Sequence, residues 1–500
     1  MAERSSPEAK GQEIVNPSTP SPRKREINPG SAQPSKGRSL ATPSLNDEPD
    51  SPRLLSSQAK SPPTYPAPSW HKRHLKLPFD LRDRNVKFDN NVLRVLYNIF
   101  PDTVDVLEGG NRHYLHFTVK KLPEAPWPLT IAGLPITIGD NEGNGKGTMF
   151  PMTMAGNMSI RICDDTDARF MPLESQAFRS LAESVTRAIL TCVPGLAVLE
   201  FILDAERRFH VVLEDGVDIN SVWARLPGRI AKCWTMYLFE TDLRRPSPGN
   251  RQALLRQVMP NPGHGIVDDT AYNVIRPGVL ISSLTSNDSR NGEILTTSSG
   301  VLVRNDAGDK FMTGASHGIG ESETFHQTLP SGDKRLLGRA VEELSFTNIS
   351  LVELQPGVQF VNEPFEQQGE TVPPFTRLLG EDMDDKIDIA DRVFLNSPQT
   401  GAMEGLMMAK GWKMHRNDSE TTHLSKAQLR YVIYDWVYIG QIEPPRTDLI
   451  IPYGTCGSAT WDEQGRVAGF FQYQVVEGPM RGFYASVSAD EVVKAGYRLA

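Results

Sequence analysis

Apolar residues fall into regular patterns only from about Leu75 onward, and the texture changes again near residue 266. Between those points helical and strand spacings are mixed. In Pro172 to Val193, the residues Phe178, Leu181, Val185 and Ile189 recur every three or four positions, which places them on one face and predicts a helix. "LAVLEFIL" (Leu196 to Leu203) is an unbroken apolar run of strand length. "FHVVLEDG" (Phe209 to Gly216) follows it across the polar connection "DAERR", so the two predict a buried, paired hairpin. "HYLHFTVKKL" (His113 to Leu122) alternates roughly, as a half-buried strand does. Residues 71–265 are therefore expected to form an α+β domain. Its His and Cys residues are scattered and form no catalytic set, so its role is not readable.

From residue 266 the apolar runs shorten and are separated by Gly, Asn, Asp and Pro. "GVLIS" (from Gly278), "ISLVEL" (from Ile349), "RVFLN" (from Arg392), "RYVIYDWVYIG" (from Arg430) and "RVAGFFQYQV" (from Arg466) each predict a strand. "GVLVRNDAGDKFMTG" (Gly300 to Gly314) outlines a hairpin around the turn set Asn305-Asp306-Ala307-Gly308. Many short strands with turn signals between them predict an all-β barrel or sandwich. The roughly 235 residues available suffice for two small barrels.

Residues 1–70 carry neither pattern. They are rich in Pro, Ser and charge, bury too little apolar surface to offset ordering entropy, and are expected to be disordered. Ser6-Pro7, Thr19-Pro20, Ser21-Pro22, Thr42-Pro43, Ser51-Pro52 and Ser61-Pro62 are candidate sites of proline-directed phosphorylation, although a Ser/Pro-rich composition produces such pairs by itself. "SPRKR" (Ser21 to Arg25) is a short candidate nuclear localisation signal.

Composition narrows the function classes. A net charge of −8 argues against a general nucleic-acid binder, which carries a basic face. No apolar run reaches the roughly 18 residues a membrane helix needs, and "MAERSSPEAKGQ" lacks the apolar stretch of a signal peptide. The four cysteines, Cys163, Cys192, Cys233 and Cys456, have wide, irregular spacings that suit neither a disulfide framework nor a zinc pair. An intracellular protein, cytoplasmic or nuclear, with reduced thiols is the economical expectation. Oligomeric state is left open.

Three residues carry candidate chemistry, in chain order. His317 stands where the hairpin's second strand breaks into "TGASHGIG"; Asn348 opens the strand of "TNISLVELQPGV"; Cys456 lies in Gly454-Thr455-Cys456-Gly457-Ser458. Singly, each has a bland explanation as a surface histidine, a turn residue or a small core residue. Together they resemble the trypsin/chymotrypsin-fold peptidases, whose chain order is His, Asp, nucleophile. "FMTGASH" resembles that family's T-A-A-H strand, "TNISLVELQPGV" its N-D-I-x-L-x-x-L motif, and "GTCGSATWDEQGRVAGFF" its G-D-S-G motif and following hairpin. "GFYASVSADEVVKAGY" resembles its closing strand and C-terminal helix. The resemblance covers somewhat under half the chain. It implies a double β-barrel with His317 as general base, Asn348 as third member, Cys456 as nucleophile, and the N–H groups of Gly454 and Cys456 as an oxyanion hole. Asp388, in "KIDIADRVF", is the alternative third member.

Three departures from the serine-peptidase pattern matter. The nucleophile is sulfur, as in the viral cysteine peptidases of this fold, and a cationic His beside it would lower its pKa. Asn348 is uncharged, and its amide oxygen would have to accept the Nδ1–H of His317. Thr455 replaces the aspartate that binds a freed N-terminus in secreted members, so zymogen activation of that kind is not expected. "RTDLIIPYG" would form one wall of a substrate pocket and Phe470 to Gln474 a lining strand. Ile450, near the pocket floor, slightly favours apolar or neutral side chains.

The leading expectation is an intracellular cysteine-type endopeptidase acting on polypeptide through a thioester, with no metal, no organic cofactor, no nucleic acid and no membrane partner. The upstream domain would regulate or recruit. The alternatives are an inactive pseudo-peptidase serving as a binding or scaffold module, and a redox sensor using Cys456.

Overall fold

The computed structural model describes residues from Trp70 to Ala500, apart from 110–113, 147–153, 246–269, 285–293, 366–373, 417–428, 440–450 and shorter gaps. The tail 1–69, with its Ser/Thr-Pro pairs and basic cluster, lies outside the described residues, as does Ile450.

Upstream of residue 246 the chain builds two separately cored parts. In the first, α1 (Asn90–Tyr97) is capped by Asp89, whose carboxylate accepts from the N–H groups of Asn91 and Val92. It packs on a sheet in which β1 (Thr103–Gly109) runs antiparallel to β2 (Tyr114–Val119), and β2 runs parallel to β3 (Leu134–Asp140). Leu96, Ile99, Phe100, Phe117, Ile136 and Ile138 form its own core.

The second part contains β4 (Asn157–Ile162), α2 (Ser175–Cys192), β5 (Val198–Asp204), β6 (Arg208–Leu213), β7 (Pro227–Ile230) and β8 (Cys233–Phe239). The predicted helix face is buried as expected: Phe178, Val185 and Ile189 are 0% exposed and Leu181 4%. The predicted hairpin pairs β5 with β6 in antiparallel register.

Downstream, the strands close into two six-stranded antiparallel barrels, which is a trypsin-like fold. The first barrel comprises β9 (Leu280–Leu284), β10 (Ile294–Arg304), β11 (Lys310–Ala315), β12 (Thr324–Thr328), β13 (Lys334–Leu344) and β14 (Ile349–Leu354). The sheet order is β9-β12-β13-β14-β11-β10, and β10 pairs back onto β9 to close it. The second barrel comprises β15 (Arg392–Ser397), β16 (Gly401–Arg416), β17 (Leu429–Ile439), β18 (Ala459–Asp462), β19 (Arg466–Gln474) and β20 (Phe483–Ser488). Its order is β15-β18-β19-β20-β17-β16, closed by β15 with β16. A short helix, α3 (Asp490–Lys494), and a final pairing of Arg498 and Leu499 with β10 return the C-terminus to the first barrel.

The second upstream part does not stand apart from these barrels. β5 pairs antiparallel with β16, Asp204 opposite Ala409 and Glu200 opposite Lys413, so its sheet continues the wall of the second barrel. Trp412 packs its ring between Phe178, Phe201 and Phe209, with centroids 5.4 to 5.9 Å apart. α2, β5, β6 and the second barrel therefore share one apolar core. Among the described residues no helix is long and apolar enough to cross a membrane.

Candidate active site

β11 ends at Ala315 and a single turn of 3₁₀ helix, Ser316 to Gly318, presents His317. β14, its antiparallel neighbour, begins one residue after Asn348. Asn348 adopts φ +59°, a left-handed conformation that asparagine tolerates better than most residues, and this turns its side chain back over the His317 turn. Its carbonyl accepts from the Ser316 N–H at 2.9 Å. Its Oδ1 accepts from the His317 N–H at 2.9 Å, and its Nδ2 lies 2.7 Å from His317 Nδ1. The sequence-predicted pair is thus brought together. Asp388 is placed elsewhere: its carboxylate bonds Arg207 at 3.1 Å and its N–H donates to Asp391.

The amide polarity differs from the expectation. An asparagine has one acceptor oxygen, and here the main-chain N–H of His317 occupies it. Turning the amide over would set two donors against each other. Nδ2 therefore faces the imidazole as a donor, and Nδ1 is its acceptor. His317 is oriented, but with the Nδ1 proton absent rather than held.

Cys456 lies on the loop that leads into β18. Three bonds anchor that loop to β10. Ser298 donates to the Cys456 carbonyl from its N–H and to the Gly454 carbonyl from its hydroxyl, each at 2.8 Å, and the Thr297 hydroxyl also donates to the Cys456 carbonyl. Gly454 and Gly457 hold φ of +90° and +88°, where a side chain is strained. A Cβ on Gly457 would lie 2.7 Å from the Ser298 carbonyl and 3.0 Å from the Ala315 N, so only glycine lets the loop sit against the strand that carries His317.

Among the described residues the N–H groups of Gly454 and Cys456 donate to no other residue. The Cys456 N–H contacts its own sulfur, and neither N–H group is taken up by a neighbouring residue. They are the donors expected for an oxyanion hole.

The thiol itself is at rest. Cys456 is 3% exposed and His317 1%. Cys456 Sγ donates to the Gln472 carbonyl at 3.1 Å, and among the described residues no hydrogen bond joins it to His317. Burial pushes the Cys456 thiol up to about 12, as it does the core thiol Cys233. The expected lowering by an imidazolium is absent because the sulfur is desolvated and turned toward β19. Thr455 is buried and its hydroxyl donates to the Pro452 carbonyl at 2.8 Å, a purely local bond.

Gln472 is the residue that the sequence reading passed over. It lies 2% exposed in β19, its Oε1 accepts from Asn348 Nδ2, and its carbonyl holds the Cys456 thiol. The signal was an amide within the apolar run "GFFQYQVV", where a buried polar group must find partners.

No family model matches the chain, and no curated protein matches it. Among solved structures the chain is similar to a glutamic acid specific serine protease, at 12% identity over 45% of this chain and 100% of that one, with a TM-score of 0.28. It is similar to Thermobifida fusca Protease A, at 11% identity over 45% and 98% of the two chains, with a TM-score of 0.29. It is also similar to a Cellulomonas bogoriensis chymotrypsin, at 13% identity over 46% of this chain and 99% of that one, with a TM-score of 0.28. Likeness at these values carries no argument about chemistry; the trypsin-like fold rests on the two closed barrels and their strand order.

Proposed function

We propose that this chain is a cysteine-type endopeptidase of trypsin-like fold, at rest in this conformation. The observation that carries the reading is that the N–H groups of Gly454 and Cys456 donate to no other residue, on a loop anchored next to the strand that presents the assembled His317 and Asn348. An oxyanion needs two such donors, and neither of these is committed to a neighbouring residue.

In the reaction, Cys456 turns from the Gln472 carbonyl toward His317 and passes its proton to Nε2. The sulfur attacks the peptide carbonyl carbon, and negative charge develops on oxygen between the two N–H groups. The C–N bond breaks as the imidazolium returns the proton to the leaving amine, and water hydrolyses the thioester to release the acid and the thiol. Nε2 accepts the thiol proton only when the imidazole carries its other proton on Nδ1. The Asn348 amide disfavours that tautomer, so turnover is expected to be slow; an Asp-to-Asn change in a serine triad costs about 10⁴ in rate for this reason.

A peptide library incubated with the full chain and analysed for new termini tests the reading. Hydrolysis that disappears in Cys456→Ala supports it, and hydrolysis that persists in that variant removes it. The second reading, a protein-binding module without catalysis, draws on the closed, protonated thiol, and predicts no cleavage by either protein.

A further inference from the structure

The contacts of Asn348 and Gln472 do more than orient an imidazole. Asn348 meets three groups at once: the His317 N–H on its oxygen, and His317 Nδ1 and Gln472 Oε1 on its nitrogen. All three fix the same polarity. The oxygen is claimed by a main-chain donor, and both remaining partners are acceptors.

We propose that this amide pair is a built-in brake on Cys456, with Gln472 a positioning residue that locks the Asn348 amide so that an N–H, not an oxygen, faces Nδ1 of His317. The inference rests on the reading of Cys456 as the nucleophile. A neutral imidazole accepting at Nδ1 carries its proton on Nε2 and has no lone pair there for the thiol proton. An imidazolium would point a second N–H at the Asn348 NH₂, so the cation that a thiolate needs is disfavoured as well. Gln472 adds a further restraint from its main chain, because its carbonyl takes the thiol hydrogen. The strands packed on the Cys456 loop present Thr297 and Ser298 from β10 and that carbonyl from β19, none of which titrates. His317 is therefore the ionisable group through which the brake acts.

One atom separates the braked site from a released one. An aspartate at position 348 would accept from the His317 N–H on one oxygen and from Nδ1–H on the other. Gln472 would only need to turn its amide to donate, giving up a 3.4 Å contact from Nε2 to the Phe470 carbonyl.

The test is the rate of iodoacetamide alkylation of Cys456 against pH, mapped by mass spectrometry in the full chain, with buried Cys233 as internal control. The wild type is expected to react appreciably only in alkali. Asn348→Asp is expected to gain a plateau near neutrality, about ten-fold faster or more at pH 6.5, that vanishes in Asn348→Asp/His317→Ala. Gln472→Leu, which removes one of the three contacts that fix the amide, should raise the neutral rate a few-fold. An unchanged profile in Asn348→Asp overturns the brake, as does a neutral plateau already present in the wild type. If Asn348→Asp does not fold, an unchanged profile in Gln472→Leu overturns it instead. Peptide cleavage is followed in parallel. Cleavage by the wild type with no change of profile sinks the brake alone, and a released thiol that cleaves nothing sinks the peptidase reading while the brake stands.

Discussion

Glu200 of β5 stands directly opposite Lys413 of β16, where a strand from the upstream part is zipped onto the second barrel. Glu200 is 0% exposed and bonds Arg245 at 2.6 Å, and Arg245 reaches Glu240 at the same distance. Burial first, and Arg245 second, lower the Lys413 ammonium to about 8. Tyr473, the residue after Gln472 in β19, faces Lys413 with its ring 5.8 Å from Nζ. The upstream sheet and the strand that holds the thiol thus share one buried charge cluster.

Removing one member of that cluster leaves another buried without its partner. Arg245→Leu is expected to cost about 3–5 kcal/mol, read by urea or thermal unfolding. Because the core is shared, residues 154–245 and the second barrel should unfold in a single transition, and residues 266–500 expressed alone should lose the cover that Phe178, Phe201 and Phe209 give Trp412. A well-folded, stable 266–500 fragment would contradict this.

This junction was the least legible feature of the sequence. The run containing β5 read as a buried strand and that of β16 was not read as a strand at all, and apolar character on both faces of β5 names no partner. The clues were Glu200 inside "LAVLEFIL" and Lys410 and Lys413 inside "GLMMAKGWKMH", charges that a buried strand must neutralise somewhere. By contrast the α2 face, the β5–β6 hairpin and the β10–β11 hairpin are local, and periodicity sufficed for them. The order His317, Asn348, Cys456 was legible because the first two sit at the ends of predicted strands and the third between two glycines. The amide polarity was not, since it depends on the His317 main-chain N–H meeting Asn348 in space.

Gly454→Ala isolates the donor loop. A Cβ there would lie 2.6 Å from Leu280 Cδ1, a side-chain end able to shift, so the larger penalty is the φ of +90°. The expected loss of stability is about 1–3 kcal/mol by thermal unfolding. Moving one of the two oxyanion donors should also lower the peptide-cleavage rate by about 10²–10³. Unchanged cleavage in a folded variant would remove the N–H groups from the mechanism.

Acid stability should depend on Glu404. Burial opposes its charge, but His74 and Arg392 outweigh burial and hold the carboxyl down at about 2. A carboxylate lowered in the folded state contributes stability above its unfolded value of about 4.3, and loses it as pH falls toward 2. Between pH 4.3 and 2 the wild type should therefore lose more stability than Glu404→Gln, which starts lower at neutral pH. Equal acid sensitivity of the two proteins would show that the cluster does not act this way.

Alkaline stability has the opposite sign. Cys456 and Cys233 are both raised to about 12 by burial, above an unfolded value of about 8.5. Their contribution is complete below about pH 8.5 and is lost as pH rises toward 12. Cys233→Ala should flatten the decline in melting temperature across that window, which a pH series of thermal scans measures.

The most direct test of the site is covalent capture by peptides that carry a vinyl sulfone, mapped by mass spectrometry in the wild type and His317→Ala. A substrate-like electrophile asks whether Cys456 can turn from Gln472 to His317 and react where a peptide carbonyl would lie. The account predicts an adduct on Cys456 that is lost in His317→Ala, with Cys163, Cys192 and Cys233 unmodified. No adduct on Cys456, or one that forms equally well without His317, would contradict it.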